Sequence, residues 1–273
     1  LKKDLTLVVA VYNAARYLEL IFEALRRQSM KDFEIIIADD GSGSGIRAVV
    51  DGAKNAGDLT ITHLWHEDSG FRKNAMLNKA IEVAQTDYLT FIDGDCLPHR
   101  HFLADHASRR SVNAVLCGRR VNLGPQMTEQ LTTTSVAKGA HEKVTLALLL
   151  DGARSRSTNL EDAIRVGSDA LRTRIPRNRA RILGCNFSVH KALLEKINGF
   201  DEDYQAPGLG EDTDIAYRLE LIGAHLVSLR YLAVLYHLYH PQTIIGDVNR
   251  RLFDKVVEQR RAVCPNGLRK LAS

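Results

Sequence analysis

Two aspartates flank a single glycine at Asp93-Gly94-Asp95, directly after the apolar run 88–92. Like charges this close repel unless a cation stands between them. Hard oxygen ligands suit magnesium or manganese, ions that often complete their shells with substrate phosphates. A DxD triplet alone is a weak signal, since solvated turns contain many. Its place at the end of a strand-like run gives it weight. A second acidic group, Glu211, Asp212 and Asp214, opens a segment of helical pattern. Capping and the helix dipole account for one or two of these carboxylates, which leaves another for general-base work. His237 and His240 follow the apolar run 233–236, and one neutral imidazole beside the carboxylates would serve as a metal ligand. His237 is the better candidate: it ends the run, whereas His240 precedes Pro241 in a segment held extended.

These clusters need a scaffold that brings them together. Residues 5–11 form a continuous apolar run, as expected of a strand buried on both faces. Further strands are expected at 33–38, 59–65, 88–92 and 114–117, with helices from about 46 and 74 and an apolar helical stripe through Tyr17, Leu18, Ile21 and Leu25. Asn13 is the expected cap of that first helix and Pro98 the first turn of another. The alternation predicts an α/β fold with an open, mainly parallel sheet flanked by helices. Each polar cluster then lies just after a strand, where such sheets bind ligands. The rhythm changes at 123–181, read as a long helical and then Arg-rich insertion between a half at 1–122 and a half at 182–273, all in one domain. In the last half, strands are expected at 182–189, 226–229 and 233–237, and helices at 191–197, 211–222 and 244–261.

Composition excludes several classes. Cys96, Cys117, Cys185 and Cys264 form no CxxC pair, which argues against a zinc site or a disulfide scaffold. The net charge of +4 fits an anionic ligand and a weak attraction to an acidic membrane, without calling for nucleic acid. No run reaches the roughly 18 apolar residues of a membrane span, and the most apolar stretch, 144–150, is far too short. With no leader before the first strand, the expected location is the cytoplasm, with peripheral contact at the inner face of the membrane.

Five segments together, Val11-Tyr12-Asn13, Asp39-Asp40-Gly41-Ser42, Asp93-Gly94-Asp95, Gly199-Phe200-Asp201 and Glu211-Asp212, resemble family 2 glycosyltransferases of the GT-A fold, in that order along the chain. Within that family, the segments 66–72 and 208–212 are similar to bacterial chondroitin polymerase domains and β-1,4-galactosyltransferases. The resemblance implies a Rossmann-like nucleotide-sugar-binding half and an acceptor-binding half. It implies inverting transfer of a hexose or N-acetylhexosamine from a UDP-sugar to a glycan, glycolipid or lipid-linked acceptor, with Mn2+ or Mg2+ as cofactor. Asp39 would then bind the uracil, Ala10, Tyr12 and Asn13 would line the nucleoside pocket, and Arg72 and Asn78 would sit near the base and diphosphate. Asp93 and Gly94 would touch the ribose or donor sugar, Asp95 and His237 would hold the metal, Asn186 would lie beside the donor sugar, and Asp212, next to Glu211, would be the base. The relatives carry a tryptophan before their Glu-Asp, where this chain has Gly208 to Gly210, and Tyr204 is the expected substitute.

Two rival readings are a sugar-phosphate nucleotidyltransferase and a non-catalytic sugar-nucleotide or glycan-binding module. The first usually has a Gly-rich basic loop after strand one, where Tyr12-Asn13-Ala14-Ala15 stands instead. The second has no reason to keep Asp95, Asp212 and His237. A P-loop NTPase would need GxxxxGK[ST], and a Rossmann dehydrogenase GxGxxG after the first strand; neither occurs.

Overall fold

A computed structural model describes residues 3–175, 180–208, 210–241 and 249–271. The chain runs β1 (Leu5–Val11), α1 (Ala15–Arg26), β2 (Phe33–Asp39), α2 (Ser44–Ala56), β3 (Ile61–Trp65), α3 (Lys73–Val83), β4 (Tyr88–Asp93), β5 (Cys96–Pro98), α4 (Phe102–Arg109), β6 (Ala114–Cys117) and β7 (Val121–Asn122). Short helices α5 (Pro125–Glu129), α6 (Thr133–Ala137), α7 (Leu146–Ala153) and α8 (Asp169–Arg172) follow. Then come β8 (Phe187–His190), α9 (Lys191–Lys196), α10 (Glu211–Leu221), β9 (His225–Ser228), β10 (Leu235–His237) and α11 (Arg250–Glu258).

The main sheet has the order β3-β2-β1-β4-β8-β6-β9. Strands β3, β2, β1 and β4 are parallel, β8 runs antiparallel to both neighbours, and β9 is parallel to β6. Alternate residues of β1 feed two separate cores, as the two-residue period of a strand requires. Leu5, Leu7, Val9 and Val11 pack with α1 and α2, while Val8 and Ala10 pack with α3, α9 and α10. A second, three-stranded sheet, β5-β10-β7, is built from both halves of the chain. Among the described residues no helix is long and apolar enough to cross a membrane.

Strand β8 depends on a buried chain of polar groups whose directions can be assigned. Both amide hydrogens of Asn186 go to carbonyls, of Arg119 (2.6 Å) and Ala233 (2.9 Å), so its oxygen must accept from His106 Nε2 (3.1 Å). His106 Nδ1 is then the acceptor for Ser188 Oγ at 2.7 Å, and Tyr88 donates to that same oxygen at 2.7 Å. Every member is satisfied, as burial demands.

Several expectations are corrected. Residues 182–186 are not strand; Asn186 is spent on the network above. The expected long helical stretch after residue 123 is broken, among the described residues, into short helices: Gly124 and Gly139 stand before two of its turns, and Thr132 and Thr145 start others with their side-chain caps. Pro98 ends β5 rather than opening a helix. Asn13 does not cap α1: it adopts a positive φ of 50°, and its side chain accepts from Gly43 N–H at 3.1 Å. The closing helix spans Arg250–Glu258, and the expected part at 244–248 lies outside the described residues.

Burial pushes the His106 pKa down to about 4, against the pull of its bond to Asn186. A histidine with a depressed folded pKa contributes stability that is complete above about 6.5 and is lost as pH falls through about 4. Urea melts should therefore show a loss of roughly 3 kcal/mol across that window from this residue. The slope of stability against pH should be visibly flatter in His106→Gln. An unchanged slope would mean that another group sets the acid limb.

Candidate active site

The carboxyl ends of β1, β2 and β4 border a crevice of about 490 Å³, lined in part by Ala10, Tyr12, Asp40, Lys73, Asp93 and Asp95. Gly94 makes the turn between the two aspartates fit. Its N–H donates to Ala10 O at 2.6 Å, and a Cβ there would stand 2.7 Å from Val11 Cγ1. The polypeptide is thus pressed onto the end of β1, with Asp93 and Asp95 on either side of the contact.

Asp95 meets both histidines. Nε2 of His237 and of His240 lie 3.4 and 3.2 Å from Asp95 Oδ2, and the three ligand atoms all fall within 4.8 Å of one another. The pairing of β10 with β5 produces this: His237 is opposite Cys96, and Leu238 N–H donates to Asp95 O at 2.8 Å. Burial pushes the Asp95 carboxyl up, but its bonds to His237 and His240 outweigh that and hold it far below the usual carboxylate range. The bond to Asp95 raises the His240 pKa. His240 Nδ1 lies 3.1 Å from Pro241 O, which leaves Nε2 as its ligand atom. The donor set, one carboxylate oxygen and two imidazole nitrogens, suits a divalent transition metal such as manganese.

Asp93 is handled differently. Lys73 Nζ donates to Asp93 Oδ1 at 2.7 Å and to Glu211 Oε1 at 2.8 Å. Burial alone would lower the ammonium pKa, yet the two carboxylates hold it well above its usual value. Burial raises the Glu211 pKa, and Asp93 and Asp212 add to that against the opposing pull of Lys73.

The acidic cluster of α10 divides three ways. Glu211 faces the crevice through Lys73. Asp212 borders a second cavity of about 560 Å³ with Arg181, Tyr217 and Phe253, and Gly184 N–H lies 3.4 Å from its Oδ2. Asp214 is structural: it is buried, paired with Arg218 at 2.6 Å, and accepts from Tyr204. Gly184 lies against the first two, since a Cβ there would lie 3.0 Å from Glu211 Oε1 and 3.8 Å from Asp212 Cβ.

Other expected site residues fall elsewhere. Asp39 is 1% exposed, with its oxygens taken by Ser42 N–H and His63 Nε2, both at 2.9 Å; these bonds hold its pKa down against burial. Asp40 is the one that reaches the crevice, held by His66 Nε2 and the Arg72 N–H. Arg72 thus contributes its backbone. Asn78 is not near the crevice chemistry: it is buried, bonds both ways with the Phe200 backbone and donates to Glu202. Asn186 is likewise internal. Tyr204 is 1% exposed and cannot offer a face to a sugar. Lys73 is the residue that sequence reading missed. Its signal was a lysine at the start of a helix, where the dipole disfavours a cation, so a tertiary partner had to hold it there.

A model described as glycosyl transferase family 2 matches residues 6–175. The chain belongs to glycosyl transferase family 2. A second model, described as the N-terminal domain of galactosyltransferase, matches residues 165–241. The chain is 28% identical over 232 residues to validoxylamine A glucosyltransferase of Streptomyces hygroscopicus subsp. jinggangensis, covering 83% of this chain and 53% of that protein. It is 25% identical over 243 residues to chondroitin synthase of Escherichia coli, covering 87% and 35%. This family 2 chain therefore spans about half the length of such relatives, or less. In fold it resembles TarS of S. aureus solved with UDP-GlcNAc (TM-score 0.62, 16% identity, 93% of this chain and 65% of that one). It also resembles the mannosyltransferase PcManGT of Pyrobaculum calidifontis solved with GDP-Man and Mn2+ (TM-score 0.57, 19% identity, 89% and 59%). The expected GT-A fold is thereby met.

Removing Lys73 leaves Asp93 and Glu211 facing each other without a countercharge. Breaking a buried pair in this way typically costs about 3–5 kcal/mol, so Lys73→Met should lower stability by roughly that amount in urea melts at neutral pH. Adding Glu211→Gln should return part of the loss. If the double variant is no more stable than Lys73→Met, the two carboxylates do not repel as the geometry requires.

Proposed function

We propose that this chain is a metal-dependent, inverting glycosyltransferase that moves a hexose or N-acetylhexosamine from a UDP-sugar to a hydroxyl of a glycan or glycolipid. The observation that carries this is the meeting of Asp95, His237, His240, Asp93 and Lys73 around one crevice at the carboxyl ends of parallel strands. That a relative is named a glucosyltransferase and a fold neighbour a mannosyltransferase, and that the fold neighbours TarS and PcManGT were solved with UDP-GlcNAc and with GDP-Man and Mn2+, supports it.

In this reading the nucleoside lies against Ala10 and Tyr12, with Asp40 rather than Asp39 turned toward it, while Asp39 braces the loop through Ser42. Asp95, His237 and His240 would hold a divalent ion, which when bound would offset the charge of the diphosphate leaving group. Lys73, already in the crevice, can release Asp93 or Glu211 and donate to the phosphates instead. Asp212 takes the acceptor proton. It borders the second cavity, and in this reading the acceptor oxygen attacks from the face opposite the diphosphate, so that a single displacement inverts the anomeric carbon. The nucleotidyltransferase and binding-module readings have no use for a base on that side.

Manganese dependence should divide unequally between the histidines. His237 sits on a strand end and is 17% exposed, while the His240 side chain is 43% exposed. A rigid ligand contributes more to binding, so His237→Ala should raise the manganese needed for half-maximal transfer more than His240→Ala. EDTA should stop transfer by the wild type. Full activity in metal-free buffer would sink the metal assignment.

Asp212→Asn should cut transfer by about 10²-fold or more, the usual worth of a general base, with UDP affinity by calorimetry near that of the wild type. A variant retaining above roughly a tenth of the rate would move the base elsewhere. Binding of UDP with manganese but no release of it in the presence of any sugar acceptor would favour the non-catalytic module.

A further inference from the structure

The most apolar stretch of the chain is not in the core. Val144, Leu146, Leu149 and Leu150 are 46%, 72%, 49% and 49% exposed, four large hydrophobic side chains within seven residues. On α7, Leu146, Leu149 and Leu150 share one face by their spacing of three and four, and that face points to solvent. The opposite face is anchored. Leu148 is buried, and Asp151 is buried and accepts from Ser157 Oγ at 2.5 Å, while Ser157 Oγ in turn accepts from Gly124 N–H at 2.8 Å. Thr145 caps the helix start by accepting from Leu148 N–H. The helix is therefore held in an orientation that exposes its leucines, and it is not merely frayed from the body.

The rim is cationic. Lys143, Arg154 and Arg156 are exposed on either side of the leucines, and Asp151, the sole acid of residues 143–156, is turned inward. Contiguous exposed apolar groups bordered by charge mark an interaction surface, and leucines with a lysine and arginine rim match the interface of an anionic bilayer. A second copy of the chain fits less well, because a two-fold pairing would bring the like charges of both rims together. Among the other described arginines of the Arg-rich segment, Arg174, two residues after α8, is exposed, and the other three are engaged elsewhere. Arg165 is bound to Asp105, Arg172 is buried beside Asp169, and Arg181 borders the Asp212 cavity. The surface is also tied to the site. Thr158, just after α7, pairs with Asn122 of β7 in both directions, and Leu123 N–H donates to His237 O at 2.9 Å.

We infer that the outward face of α7, with Lys143, Arg154 and Arg156, docks this chain reversibly on the anionic surface of a lipid bilayer. This is a site of membrane contact separate from the crevice, and it does not depend on the reading of the crevice chemistry.

Flotation tests it with the whole chain and two kinds of vesicle, phosphatidylcholine alone and equal parts phosphatidylcholine and phosphatidylglycerol. The wild type should float with the anionic vesicles at low salt. Leu146→Ser with Leu150→Ser should lower the bound fraction about tenfold or more, given the apolar area withdrawn. Arg154→Gln and Arg156→Gln should each lower it about fivefold. Both leucines are exposed, so thermal melts of the variants should match the wild type. No flotation with anionic vesicles at low salt would overturn the inference, as would flotation that the leucine changes leave intact. A wild-type dimer by light scattering that the same leucine changes dissociate would overturn it in favour of a second copy.

Discussion

Several carboxylates must stand at one end of a sheet without driving it apart, and the resolution of that repulsion organises this molecule. Asp93 and Glu211 come from opposite halves of the chain, and a single ammonium, Lys73, sits between them. Asp95 is relieved by two imidazoles and Asp214 by a buried guanidinium. Two of the acids share one countercharge, and the countercharges Lys73, His237 and Arg218 come from three different elements, α3, β10 and α10. The halves are therefore held together at the site by electrostatics as well as by their shared core. A site arranged this way is ready for a more highly charged visitor: the diphosphate and its metal would replace internal pairings with external ones and would not need to create charge stabilisation from nothing.

The sheet sets the placement. Four parallel strands deliver their carboxyl ends to one edge, which is why loops separated by many residues meet there. The second, small sheet brings the distant histidines to Asp95. Strand β10 pairs with β5 immediately after the two aspartates, and β7 closes its other side. Beneath both sheets the Asn186 and His106 network fixes where β8 lies, using polar groups whose donors and acceptors have no spare member.

Much of this was legible in the sequence. Strands 5–11 and 114–117 matched to the residue, because a continuous apolar run bounded by polar turns leaves little choice. The convergence of acidic clusters followed from their positions after strands. What sequence could not supply was the direction of each side chain. Asp39 and Asp40 are adjacent, and only the pleat decides that one meets His63 and Ser42 while the other meets the crevice. Likewise Glu211 and Asp212 are neighbours, yet one is bound to Lys73 and the other borders the second cavity. Asn78 and Asn186 have the chemistry of ligand-binding residues, but buried backbone carbonyls needed donors and claimed them. The segment 123–175 looked continuous because its apolar content hid its glycines, and the leucines of α7 belonged to a surface that no periodicity could distinguish from core.

The register of the small sheet acts as a measuring device. His237 lies opposite Cys96, the residue after Asp95, in a strand pair only three residues long. Side chains in a strand alternate faces, so a slip of one position turns every one of them over. A single residue inserted or lost between Asp93 and Cys96 would shift the aspartates against the histidines and present the wrong face. By contrast, the short helices after β7 touch the site at few points, through β7 and through Thr128 of α5, whose hydroxyl accepts from Tyr239 N–H. Lineages descended from such a chain are thus free to lengthen that insertion and tune what it touches, while the few residues from Asp93 to Pro98 are held to one length.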